Sequence, residues 1–318
     1  MKVSHLLLPL FLLFTHLSFG QDTTFFSSQT NITKDKAKAL YYTLDNISDK
    51  CSITLFDIKT SNKFASLSLQ LKDGKGLDYY VLDGEVTYFH TNGAIKEVGK
   101  MENNGKTDLW QYFYPNTKPN KTLLFGTDIK YSSKYPFYYK ILTYYNEANE
   151  QLVIDGNGIY TDKSDSLYSF TVPITNGMPN GKAFGITQGL EFNENYHNGE
   201  FMGGVLIKTD GSIIKYDTLE VNPEFEGGIK NMYKFLASNI EYPKDAQKAK
   251  KSGKVFVKFI VEKDGEIKNT EVLKGVFPSL DEEAERVIKL FSYKFSSGKQ
   301  RGLPVRVHFT MPINFSLE

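Results

Sequence analysis

The closing stretch of the chain alternates without a fault. Val305, Val307, Phe309, Met311, Ile313, Phe315 and Leu317 are apolar, and Arg306, His308, Thr310, Pro312, Asn314, Ser316 and Glu318 lie between them. A period of two predicts a strand with one face on a core and the other in water. Pro312 has no N–H to donate, which places it on an edge or at a bulge. A second alternation runs from Val255 to Glu262 and stops at Asp264-Gly265, a pair suited to a tight turn. The strand that returns, Ile267 to Lys274, alternates less cleanly. Val272 and Leu273 cannot both face the core, which leaves room for a bulge.

Two segments change period. Ile229, Met232, Tyr233, Leu236 and Ile240 fall on one apolar stripe of a helix that Pro243 closes. In "FPSLDEEAERVIKLF", Ser279 is the expected cap and Glu282 occupies the capping-box position. Leu280, Ala284, Val287, Ile288 and Phe291 form its expected buried face. Asp281, Glu282 and Glu283 read as acids favoured in a helix's first turn, not as a catalytic carboxylate pair.

Earlier in the chain the punctuation is different. Asn-Gly and Asp-Gly pairs recur, among them Asn92-Gly93, Asn176-Gly177 and Asn198-Gly199, with short aromatic strands such as "VTYFH" and "FYYKILTYY" between them. These turn pairs tolerate positive φ and predict a meander of hairpins. Only Lys34 to Leu44 keeps a helical period here. "YFHTNG" at Tyr88 returns as "YFYPNT" at Tyr112, 24 residues on. A period in the low twenties suggests stacked units sharing a core. This stretch resembles the MORN-type repeats, including the variant of YwqK-type antitoxin proteins. Of the 20 tyrosines, 17 lie before residue 220, so the style changes near "KYDTLEVNP". The expected division is a signal peptide at 1–20, a MORN-like hairpin module at 21–219 and a final domain at 220–318.

Composition narrows the function. A chain of 318 residues suggests about two domains. Lys+Arg is 38 against 37 Asp+Glu, so nothing global favours nucleic acid or an acidic membrane. The start, "MKVSHLLLPLFLLFTHLSFGQ", has a positive residue, an apolar core and small residues before Gln21. That is the pattern of a cleaved leader, leaving no stable transmembrane span and a periplasmic protein; retention of the segment as an inner-membrane anchor is the alternative. Cys51 is the single cysteine, which excludes an internal disulfide framework and is expected to be a buried, inert thiol. His90, His197 and His308 are scattered, so no metal site is expected, and no cofactor motif stands out. "GMPNGKA" lacks the spacing and the hydroxyl of a phosphate loop and reads as two turns.

The order of motifs in the last hundred residues is more specific than any one of them. Tyr242-Pro243, Gly253-Lys254-Val255, Asp264-Gly265, Leu280-Asp281, Gly298, Gly302 with Pro304-Val305, and Pro312-Ile313 with Phe315 occur in sequence. In this order they resemble the TonB C-terminal domain, over about Pro223 to Glu318. The resemblance implies an α+β fold, a three-stranded antiparallel sheet with two helices on one face. It also implies β-augmentation, in which an open sheet edge receives a short extended peptide, the TonB box of an outer-membrane transporter. The implied edge is Val305, Arg306, Val307, His308, Phe309, Thr310 and Met311, with adjacent contacts from Ser238, Asn239 and Tyr242. Phe295 and Ser297 depart from the family's usual Trp or Tyr and Pro, and Asn239 from its Gln. The 11 prolines form no Pro-rich spacer. Two binding functions follow as expectations: coupling to an outer-membrane transporter, or a non-transport envelope adaptor for peptidoglycan or another periplasmic protein. No constellation in the sequence supports an enzyme.

Overall fold

The computed structural model describes residues 12–13, 24–26, 41–43, 48–57, 59–72, 79–126, 136–165 and 167–317. Most of the expected leader lies outside these residues; Leu12–Leu13 pair with Tyr80 and Tyr79. Tyr41–Thr43 form a strand against Lys50–Asp57, so the helical period of Lys34–Leu44 does not make a helix there. The chain divides into two compact units, one of Met1–Phe184 with Tyr196–Glu200 and one of Gly185–Asn195 with Phe201–Glu318.

The first unit is a meander. Strands Lys50–Asp57, Lys63–Lys72, Tyr79–Phe89, Ile95–Glu102, Gly105–Phe113, Pro119–Phe125 and Tyr139–Tyr145 each pair antiparallel with the next. Two turn chemistries alternate. At Asn103-Asn104, Asp155-Gly156 and Asn176-Gly177 both central residues have positive φ, the two-residue hairpin geometry. At His90–Ala94 and Tyr114–Lys118 the loop is longer, closed by Gly93 N–H to His90 O at 2.9 Å and Thr117 N–H to Tyr114 O at 2.9 Å. Turns of this second kind are tied side to side: Asn62 Nδ2 donates to Thr91 O at 3.0 Å and Asn92 Nδ2 to Pro115 O at 2.7 Å. The 24-residue spacing therefore equals two strands and one turn of each kind.

Its aromatic residues are packing elements. Trp110 is fully buried, donates from Nε1 to Lys100 O at 3.0 Å, and lies on Gly99. A Cβ at Gly99 would stand 2.5 Å from the indole ring. Lys106 Nζ sits 3.8 Å from the Trp110 ring centroid and 2.5 Å from the Glu97 carboxylate, and donates to Tyr112 Oη at 2.9 Å. Burial pushes the Lys106 amine down and the Glu97 carboxylate opposes it. Next along the sheet, Lys121 Nζ donates to Tyr160 Oη at 2.8 Å, and burial holds the Tyr160 hydroxyl up. Cys51 is half-buried beside Leu69, more exposed than the sealed thiol expected.

The second unit carries the α+β domain. Helices α1 (Gly228–Asn239) and α3 (Pro278–Lys289) cover one face of a three-stranded antiparallel sheet. The hairpin strand Ile267–Lys274 and the terminal strand Val307–Phe315 flank the central strand Gly253–Val261. Val255, Val257, Phe259, Val261, Ile313 and Phe315 meet Leu280, Ala284, Ile288 and Phe291 in the core. Short helix α2 (Lys244–Lys248) and a second small sheet, Glu220–Val221, Gly298–Gln300 and Leu303–Val305, complete it.

Local readings fare unevenly. The buried face of α3 is as the pattern predicts, with Leu280, Ala284, Val287, Ile288 and Phe291 all fully buried. Its start is not: Pro278 takes the first turn, Phe277 is the extended residue before it, and Ser279 lies inside the helix. Proline's fixed φ suits that first position, and Asp281 Oδ1 accepts the Val276 N–H at 2.8 Å instead. On α1, Ile229 and Tyr233 are 64% and 57% exposed. Phe235 turns inward in their place, with its ring 5.8 Å from both Phe225 and Phe291. The hairpin strand bulges where expected. Phe256 faces Lys274 and Val257 faces Val272, which leaves Leu273 unpaired and exposed.

A buried ion pair anchors this unit. Arg301, in the turn between the two short strands, donates from Nε to Glu194 Oε1 at 2.6 Å, and the Glu194 side chain is fully buried. Tyr216 Oη donates to the same oxygen at 2.8 Å, and the Arg301 guanidinium lies 4.3 Å over the Phe192 ring. The Arg301 N–H reaches Leu219 O at 2.8 Å.

A candidate peptide-binding edge

Backbone direction decides what an edge strand offers. In a β-strand the N–H and C=O of one residue point to one flank, and those of the next point to the other. The central strand fixes the phase. Glu262 N–H donates to Glu266 O across the hairpin at 2.8 Å, so even-numbered residues of that strand address the hairpin strand. Ile267 N–H, opposite Val261, turns away from it and donates to Ser292 Oγ at 3.1 Å, the alternation this phase requires. Odd-numbered residues then address the terminal strand, whose register is unbroken from Gly253 with Phe315 to Val261 with Val307.

The seven residues expected at the edge divide by parity. Val307, Phe309 and Met311 direct their amides to the central strand, and Val305 directs its amide to Gly298 in the small sheet. His308 and Thr310 direct theirs outward, and so does Asn314. Arg306 continues the register: its Nε donates to Glu262 Oε2 at 2.8 Å, the next cross-strand pair after Val261 with Val307. Pro304 and Pro312 share this outward parity, so both missing donors fall on the open flank. Among the described residues no strand pairs with that flank.

Side chains alternate with the same period. Arg306, His308, Thr310, Pro312 and Asn314 are exposed, whereas Val307, Phe309 and Met311 are half-buried. Phe309 stacks on Phe259 with centroids 5.6 Å apart and tilts against Phe295 at 5.8 Å. Half-burial of these apolar residues is what an incomplete sheet produces: one more strand would cover them.

The expected neighbouring contacts are largely occupied. Asn239 Nδ2 donates to Phe235 O at 2.7 Å, closing α1. Tyr242 donates its hydroxyl to Lys251 O, and its ring meets Phe315 at 5.7 Å. Ser238 is exposed. Sequence reasoning missed what holds this loop. Glu283 Oε1 accepts the Glu241 N–H at 2.7 Å, Arg286 Nη2 donates to Asn239 O at 2.6 Å, and Arg286 Nε reaches Glu283 Oε2 at 2.6 Å. Burial alone would raise the Glu283 carboxyl, but the bonds from Arg286 and the Glu241 amide outweigh it and hold it below its usual range. The signal was an Arg three residues after a Glu on α3.

Residues 238–317 match the family described as Gram-negative bacterial TonB protein C-terminal. Two solution structures of the Helicobacter pylori TonB C-terminal domain are similar. One is 29% identical over 28% of this chain and 79% of that one, with a TM-score of 0.24. The other is 28% identical over 27% and 90%, with a TM-score of 0.23. No curated protein matches the chain. The family match therefore covers the last 80 or so residues of the protein, the α+β domain. Among the described residues no helix is long and apolar enough to cross a membrane.

Proposed function

We propose that this domain binds an extended peptide along the outer flank of Val307–Phe315, and that the peptide is the TonB box of an outer-membrane TonB-dependent transporter. The single observation that carries this is the outward set of backbone groups at Arg306, His308 and Thr310. Such a set is a template for one more strand. The MORN-like hairpins of the first unit serve as the scaffold, the protein acts in the periplasm after loss of its leader, and its work is binding, not catalysis.

Titration of the ¹⁵N-labelled protein with TonB-box peptides tests this. The amides of Arg306, His308 and Thr310 shift together, while those of Val307 and Phe309, already bonded, shift less. Peptides that leave all five amides in place defeat the proposal. A second function, an envelope adaptor without energy coupling, is favoured by one observation: 11 prolines without a Pro-rich run provide no long spacer. Transporter-dependent uptake that survives deletion of residues 220–318 would select it.

A further inference from the structure

The open flank is not uniform, and its two ends are chemically marked. Outward-directed positions run Pro304, Arg306, His308, Thr310, Pro312 and Asn314. A guest strand exchanges two hydrogen bonds with each outward residue that keeps its N–H. Pro304 and Pro312 cannot donate, and each ring occupies the space where a guest carbonyl would sit; Asn314, beyond Pro312, is a separate donor cut off from the other three. Neither proline disturbs the protein's own ladder: the terminal register passes Pro312 opposite Phe256 without a shift, and Pro304 lies opposite Lys299. They act only on the flank that faces solvent.

We infer that Pro304 and Pro312 bracket a window of three complete rungs, so that the domain reads a guest of about five residues in one register and ignores what extends beyond it. This rests on the peptide docking proposed above. The same geometry states the guest's chemistry. Its inward side chains extend the sheet over half-buried Phe309 and Met311, so they are apolar. Its outward side chains stand beside a face where the two nearest strands carry Arg306, Lys258 and Lys254 against Glu262, already bonded to Arg306, while Glu271 lies opposite Lys258 on the far strand. The guest is an extended acidic peptide with alternating apolar residues. The prolines also leave a flank too short for a second copy's long terminal strand, which keeps the edge from pairing with itself.

The probes are acetylated, amidated peptides of alternating valine and glutamate, five, seven and nine residues long, titrated into the full-length protein. The wild type binds all three within about twofold. Pro312→Thr restores an outward donor, so it binds the nine-residue peptide about tenfold more tightly and the five-residue peptide unchanged, the worth of one to two backbone hydrogen bonds. Urea midpoints within error of each other confirm that the variant is folded. Independently of any variant, N-methylation of guest amides abolishes binding at alternate positions over five residues and not beyond. Wild-type affinity that climbs with every added pair, or a Pro312→Thr variant blind to length, overturns the window while leaving the edge in place. Binding of none of the three peptides to either protein overturns the edge itself.

Discussion

The two units solve the same problem, covering apolar strand faces, by opposite means. In the first, each strand pairs with its sequence neighbour through a turn whose residues dictate the geometry, as at Asn103-Asn104 and Asp155-Gly156. In the second, the central strand Gly253–Val261 pairs along its whole length with Val307–Phe315, some fifty residues on. Local pairing sets each strand of the meander beside its sequence neighbour. Long-range pairing ends on whichever strand arrives last, and that strand keeps a flank open. The open flank of the terminal strand is therefore a product of long-range pairing in the second unit, whereas the sheet's other edge, Ile267–Lys274, comes from a local hairpin.

The sharpest way to test how the second unit is held is to remove Arg301. Its partner Glu194 is fully buried and would be left without its cation. Arg301→Ala is expected to cost about 3–5 kcal/mol in urea unfolding followed by tryptophan-independent far-UV signal. A cost under about 1 kcal/mol would show that the small sheet is an ornament. Next in size is a pair of neighbours on the terminal strand. Val307→Pro removes a donor to the central strand and is expected to cost about 2 kcal/mol or more. His308→Pro removes an outward donor, leaves the urea midpoint close to wild type and abolishes peptide binding. Equal destabilisation by both would undo the parity on which the edge depends. In the first unit, Gly99→Ala drives a methyl into the Trp110 ring and is expected to cost about 1–3 kcal/mol, read by tryptophan fluorescence.

How much of this was legible follows from the range of each interaction. The turns of the meander were readable because Asn-Gly and Asp-Gly act within two residues. The central and terminal strands were readable because alternation is strict from Val305 to Leu317. The parity of the edge was readable in principle, since Pro304 and Pro312 stand eight apart, a spacing that puts them on one flank wherever the strand runs on through Arg306. The phase that makes this flank the outer one was not, because it is set by Glu262 against Glu266. The pair of Glu194 and Arg301 joins residues 107 apart, and no local pattern announces it. The α1 face was misread because Ile229, Tyr233 and Phe235 all carry large apolar surface. Only contact with Phe225 and Phe291 decides among them.

Glu283 gives a smaller effect with a definite sign. Its carboxyl is held below the usual glutamate range in the folded protein. A depressed value means that its contribution is fully present above the unfolded pKa and is lost as pH falls through the folded one. Glu283→Gln is expected to cost about 1 kcal/mol at pH 7, because Arg286 is half-exposed and solvent-screened. The gap between variant and wild type should hold above the ordinary glutamate range and close as pH falls through the lower, folded value. A gap that widens in acid would mean that burial, not Arg286, governs the group.

The smallest expected effect separates exposure from sequence pattern. Ile229 and Tyr233 fit the apolar stripe of α1 as well as Met232 does, yet they stand in solvent while Met232 is buried. If the pattern determined the energetics, Ile229→Ala and Tyr233→Ala would cost as much as a core truncation, about 2–5 kcal/mol. Because exposure determines it, each is expected to change the urea midpoint by no more than about 0.5 kcal/mol, against a full core cost for Met232→Ala. Exposed apolar side chains that cost nothing to remove would be spectators of this fold. Ones that cost as much as Met232 would mean that another surface covers them in solution, and the second unit would then owe part of its stability to a contact beyond its own core.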